Sequence, residues 1–202
     1  RPNWGLYELD FVFSTLVVGS IVNFALMYCL AATPASSAAA KGSILQKLFS
    51  EQTLKSMGAP GGHMFEKGYG LGPRLTNLAY KGFLFGLVGI CSGLVGTAMS
   101  NGLIFLRRRM DPEFEPQNKP PNVALNALAW GTHMGVSANT RYQILYGLDL
   151  IMMPFLGRYG FLAYSAVIRT LNNAFGGTSF VFFARLFGVQ KVNEQGLEAS
   201  RS

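Results

Sequence analysis

The sequence predicts an all-α integral membrane fold: a polytopic bundle of about four transmembrane helices packed through small-residue seams, with an amphipathic helix at the interface. Three observations predict it. Half of the residues are hydrophobic and only 13% are charged, against about 25% charged in an ordinary soluble domain, and the mean hydropathy is +0.26. Two runs, residues 11–32 and 82–106, carry no charge, and each exceeds the roughly 20 residues that cross about 30 Å of hydrocarbon. Small residues recur along the apolar runs at steps of three and four, the spacing of one helical face.

The first run, "FVFSTLVVGSIVNFALMYCLAA", is the first predicted span. It is too long for the core of a signal peptide, and the chain opens at Arg1, so a presequence lost upstream is an expectation. A connector over 33–81 follows. Within it, residues 43–57 carry Ile44, Leu45, Leu48 and Phe49 on one face and Lys47, Glu51 and Lys55 on another, with Ser43 as N-cap. This pattern suits a helix lying in the interface or one packed on its own loops. "GAPGGHMFEKGYGLGPR" is glycine-rich but has no G-x-x-x-x-G-K-[ST], and Pro73 replaces the last glycine of G-x-G-x-x-G, so it reads as a flexible linker.

The second predicted span, 82–106, has Gly82, Gly86, Gly89, Gly93, Gly96 and Ser100 on a single face. Glycine lets helix backbones approach closely in lipid, so this face predicts tight packing. Four prolines in "MDPEFEPQNKPPN" then forbid a continuing helix. The third span, 123–151, repeats the device with Ala124, Ala127, Gly131, Gly135 and Ala138; the fourth, 161–183, does so with Ala163, Ala166, Thr170, Ala174 and Gly177. Residues 142–157 allow a fifth span. The spans form one domain over 1–190, and 191–202 is a polar tail. Whether each seam meets a helix of this chain or of a neighbouring subunit stays open, as does orientation, because basic residues flank the second run on both sides.

The polar groups inside the later runs are the candidate functional residues. Asn126, His133, Ser137 and Thr140 share a stripe that ends beside Asn139 and Arg141, with Asp149 two turns further on, about 12 Å along the axis. That distance forbids direct pairing of Arg141 with Asp149 on an unbroken helix. Arg141 near a helix end can snorkel. In the fourth run Arg169, Asn172 and Asn173 lie on one face. Ionisable groups at membrane depth cost about 2.5–3.5 kcal/mol on insertion scales, which marks them as a transport path or as a buried polar network that glues helices. His133 reads as an interior histidine with its hydrogen bonds satisfied.

Several classes are excluded. The net charge of +7 and pI near 9.6 would fit nucleic-acid binding in a soluble protein, but the basic residues sit beside apolar runs, where anionic lipid is the expected partner. "GICSG" places Cys91 where a G-x-S-x-G serine would stand, and two histidines are too few for a dispersed metal site. Cys29 and Cys91 read as buried apolar-like side chains. No enzyme, cofactor or metal is expected.

The chain resembles the RETICULATA-related family in "GLVGTAMSNGLI", "HMGVSANTRYQIL" and "FARLFGVQ", with "GGHMFEKG" and "MDPEFEPQNKPPN" also similar, so that the likeness runs from about residue 9 to 190. The resemblance implies a multi-pass protein of the chloroplast inner envelope, imported through a transit peptide and involved in amino acid or related metabolite transport or homeostasis. Membrane lipid, a homo-oligomer and an amino acid substrate are the partners it implies. The alternative is an accessory subunit of a larger envelope complex such as the protein-import machinery. Asp149 is the lone acidic residue between Val123 and Gln190, whereas Arg141, Arg169 and Arg185 would repel a cation, so an anionic substrate suits the residues better.

Overall fold

The computed structural model describes residues 13, 16, 20, 51–112, 114 and 121–189. The first predicted span lies almost wholly outside the described residues, as do the start of the amphipathic segment, Cys29 and the polar tail. Among the described residues the chain forms α1 (Glu51–Ser56), α2 (Leu71–Met110), α3 (Val123–Thr132), a π-helical turn (His133–Ala138), α4 (Asn139–Met152) and α5 (Arg158–Leu186). The helix α1 ends in a left-handed glycine, Gly58, at φ 71°. There Ala59 N donates to Leu54 O at 2.9 Å and Gly58 N to Lys55 O at 3.0 Å, which satisfies carbonyls the helix leaves open.

Helix α2 begins at Leu71, well before the predicted residue 82, because Pro73 falls in the first turn, where no intrahelical N–H is needed. Its 40 residues span about 60 Å. It closes on Arg107, Arg108 and Arg109, cations that complement the negative end of the helix dipole. Asn122 caps α3 by accepting from Leu125 N at 3.1 Å, just after two prolines. From Val123 to Met152 the helix is continuous through the π-turn, in which Asn139 N reaches Met134 O, five residues back. Pro154 stops it. Helix α5 ends at a second left-handed glycine, Gly188, with Val189 N bonded to Ala184 O at 2.8 Å.

The expectation of four spanning helices is overturned. The described chain is all-α, as predicted, but one described helix, Leu71–Met110, is long and apolar enough to cross a membrane. The third and fourth runs contain His133, Asn139, Arg141, Gln143 and Asp149, and Arg158, Arg169, Asn172, Asn173 and Arg185. These polar groups dilute the apolar length that a span requires. The described residues therefore do not form a four-span bundle.

The helices form a layer with α3–π–α4 in the middle. Helix α2 runs antiparallel along one side of it and α5 antiparallel along the other. The glycine face of α2 is the reason the first pair packs so closely. A Cβ on Gly89 would stand 2.6 Å from Trp130 O, one on Gly93 2.7 Å from Ala127 Cα, and one on Gly82 2.9 Å from Gly135 O. The same contact from the other side puts a Gly135 Cβ 2.9 Å from Gly82 O. Gly86 and Gly131 complete the seam, while Gly96 and Ser100 are half-buried further along. Phe85, Met134 and Ala138 form the small buried core, flanked by Val88 and Trp130.

The seam of α5 behaves otherwise. Ala163, Ala166, Thr170, Ala174 and Gly177 are all exposed, and nothing lies within 4 Å of a Cβ built on Gly177. Cys91, expected to be buried, is exposed as well, because it lies off the glycine face of α2.

Candidate functional site

Two polar constructions hang on this frame. The first is a clasp. The stretch 58–74, expected to be a flexible linker, is not one: its last four residues open α2, and residues 57–70 fold over the end of the α2/α4 pair and are bonded to it. Asn77 Nδ2 donates to Pro60 O at 2.6 Å, and Gln143 Nε2 donates to Asn77 Oδ1 at 3.0 Å while its Oε1 accepts from Met64 N at 3.0 Å. Asn77 and Gln143 are 0% and 3% exposed, so these bonds are what makes their burial tolerable. Lys81 Nζ donates to Gly62 O, Glu66 Oε1 accepts from Gly62 N at 2.7 Å, and Arg74 holds Tyr69 O and Glu66 O at 2.9 and 3.2 Å. Asn139 anchors the same end through Leu78 O at 2.8 Å. The His63 ring stacks on Tyr146 with centroids 5.8 Å apart, and the Phe65 ring lies against Gly147. Burial holds the His63 imidazole below its ordinary pKa; Lys81 acts in the same direction and Glu66 opposes it.

The second construction lies between α4 and α5. Arg141, read as a snorkelling residue, instead turns its guanidinium into the helix pair. Nε donates to Ser137 O at 3.2 Å, and Nη1 donates to Asn172 O at 2.7 Å and to Asn172 Oδ1 at 3.2 Å. Gly176 makes room for it: a Cβ there would stand 2.7 Å from Nη1. Beside the guanidinium opens a groove of about 570 Å³, walled by Ile144, Leu145, Leu148, Ile168, Leu171 and Phe175. Beyond its far end, Asp149 Oδ2 accepts from Arg169 Nη2 at 2.9 Å.

The sequence stripe is thus divided among three destinations. Asn126 faces α2 and donates to Thr97 Oγ1 at 2.6 Å. His133, buried, lies 3.3 Å from Ser179 Oγ, which also meets Ser137 Oγ at 2.6 Å. Its ring stands edge-on to Trp130 and Phe180. Thr140 turns back on its own helix to Val136 O at 2.7 Å. Asn172 joins Arg141, but Asn173 is exposed and takes no part in the groove. Asn77, Lys81, Gln143, Gly176 and Ser179 are the participants missed by sequence reasoning. The polar pair Asn77 and Lys81, four residues apart at the start of an apolar run, was the available signal.

Among the described residues no group of three or more His, Cys, Asp or Glu could hold a metal ion. What the site offers chemically is one fixed cation at the edge of an apolar trough, and a polar clasp in which Lys81, Arg74 and Glu66 are spent on backbone groups of the loop.

Fold and site define an all-α protein in which one span-length helix is locked by glycine contacts to a π-interrupted partner, with an arginine-headed groove on the far side. The chain belongs to the RETICULATA-related family: the family model described as "Protein RETICULATA-related" matches residues 1–148. It is 52% identical over 198 residues to Protein RETICULATA-RELATED 3, chloroplastic, of Arabidopsis thaliana, covering 96% of this chain and 56% of that one. To RETICULATA-RELATED 2, chloroplastic, it is 50% identical, covering 96% and 55%, and to Protein RETICULATA, chloroplastic, 32% identical, covering 93% and 44%, both from the same plant. The chain thus spans about half the length of these curated relatives. No solved structure matches it.

Proposed function

We propose that the chain is a non-catalytic module of the plastid inner envelope membrane, in which α2 crosses the bilayer and α5 presents a face to further helices of a larger membrane assembly. The observation that carries this reading is α5 itself. Over 29 residues it buries only Ala184, while Leu162, Val167, Leu171, Phe175, Phe182 and Leu186 are each 58–67% exposed. Its small-residue seam faces outward beside them. Such a helix needs lipid or another helix, and small residues at helical spacing are what close helix packing in lipid uses. The chloroplastic names of the relatives support the compartment.

Native gel migration of the protein in mild detergent tests this reading. A discrete oligomer or a very large complex, lost when Ala166→Leu and Ala174→Leu are combined, is the expected result. A monomer insensitive to that change would remove the reading.

The second reading is amino acid or related metabolite transport, favoured by Arg141 at the edge of its groove. Helices beyond the single span would have to complete the path, so oligomer formation is a precondition here too. Exchange of glutamate, lysine and a neutral amino acid in liposomes checks it; saturable uptake abolished by Arg141→Ala supports transport, and no uptake of any of the three rejects it.

A further inference from the structure

The groove between α4 and α5 pairs an apolar trough with a fixed cation. Its walls are apolar, and several of them are open: Ile144, Leu171 and Phe175 are 48%, 59% and 64% exposed. At one end stands a guanidinium that is anchored rather than mobile, held by Ser137 O and by both oxygens of Asn172. It is seated against Gly176, where no side chain displaces it. These bonds use Nε and Nη1 and leave Nη2 without a hydrogen-bond partner among the described residues.

All of Arg141's partners are neutral. Asp149, the one acidic residue between Val123 and Gln190, is held by Arg169 at 2.9 Å. A cation against apolar walls is costly until an anion meets it. The complementary ligand is therefore anionic at one end and apolar along the rest of its length.

The trough runs along α4 from Arg141 to Leu148, about 10 Å of helix. Its volume of about 570 Å³ falls in the range of about 300–1,000 Å³ typical of small-molecule sites, room for the head and the near half of one acyl chain, whose far end runs on over the exposed apolar face of α5. We propose that this groove binds a single-chain fatty-acid carboxylate, with the head on the Nη2 edge of Arg141 and the tail along Ile144, Leu148, Ile168 and Leu171. The inference is independent of oligomerisation and of transport, since the groove is built within one chain.

Binding of a dansyl-labelled fatty acid to the purified full chain in detergent, read by fluorescence, tests the proposal. Saturable binding displaced by palmitate and not by hexadecanol is expected, because the alcohol keeps the tail and loses the charge. Arg141→Gln should weaken binding by about tenfold, the worth of a charged hydrogen bond, and Arg141→Lys should recover part of it. Gly176→Ala should also weaken binding, because the new methyl meets only the guanidinium end of Arg141, pushes it off its anchoring oxygens and leaves the helix backbones in place. Leu171→Trp fills the trough without touching the arginine and should weaken binding even if Arg141→Gln fails to fold. Equal displacement by hexadecanol, displacement by two-chain anionic phospholipid as effective as by palmitate, or wild-type affinity in folded Gly176→Ala and Leu171→Trp would each overturn the proposal.

Discussion

The two sides of the central helix are built on opposite rules. Toward α2 it packs backbone against backbone: seven α2 residues are buried, among them Gly89, Gly93 and Asn77, and the gaps at Gly82, Gly89 and Gly93 would not admit a methyl group. Toward α5 it packs through side-chain tips, with the tilted pair Trp130 and Phe180 at 4.2 Å, the serine pair, and the arginine that bridges to Asn172. Only Ala184 of α5 is buried. Close glycine contact leaves nothing for a third party, whereas side-chain bridging leaves a trough and an exposed helix face. One side of this molecule is finished, and the other is built to be completed.

Breaking the finished side should have the largest effect. In Gly93→Leu or Gly89→Leu the first added carbon already meets backbone below 3.0 Å, so the helices must separate. Overpacking costs about 1–3 kcal/mol and more where backbone must move, and the expected result is loss of the thermal transition by circular dichroism in detergent. Retention of the wild-type melting temperature by both variants would contradict the seam.

The clasp comes next. Gln143→Leu strands Asn77 Oδ1 and Met64 N, and a buried group left without its partner costs about 1–3 kcal/mol. The loop over residues 57–70 should become cleavable by protease while the helix content holds. Weaker still is Asp149→Asn. Its partner Arg169 has a side chain 48% exposed, so the pair is screened and should contribute less than about 1 kcal/mol; a melting temperature falling as far as that of the glycine variants would mean that α5 is held far more firmly than its exposure indicates.

The smallest effects sharpen the contrast. Phe182→Ala should change stability by no more than about 0.5 kcal/mol, as for an exposed surface site, while shifting oligomer migration on a native gel. The clasp should also loosen slightly on acidification. The pKa of His63 is lowered in the folded chain, so the unfolded chain takes up the proton first as pH falls. Its contribution is complete above its ordinary value of 6.5 and declines as pH drops through that value toward the lower folded one. Protease sensitivity of the loop, measured on either side of that window, should rise on the acid side, and wild-type protection there would count against it.

Much of the finished side was legible beforehand. Steps of three and four between Gly82 and Gly93 need only an unbroken helix to fall on one face, and α2 is unbroken. The groove was not legible, for a definite reason. The π-turn at residues 133–138 inserts one residue, which rotates everything after it by about 100° relative to a regular helix. Asn139 and Gln143 thereby face α2 and Arg141 faces α5, a division that a 3.6-residue count across His133 to Arg141 does not show. Asp149 found its partner on another helix, twenty residues away, where periodicity carries no information. The four-span expectation failed on the same residues, because a polar group inside an apolar run, whatever its role, shortens the stretch that a span requires.

The clasp has a consequence for how the chain folds. Met64 meets Gln143 across 79 residues, Asn77 meets Gln143 across 66, and Leu78 meets Asn139 across 61. Contacts so distant in sequence carry a large loop-closure entropy and form after the local ones. The glycine hairpin must therefore zip from the α2–α3 connector outward before Met64 can close on Gln143, whereas Pro60 and Gly62 find Asn77 and Lys81 on α2 alone. Gln143→Leu should speed unfolding while leaving the folding rate almost untouched, and among the described residues the loop's hold on α4 is the last contact to form and the first to break.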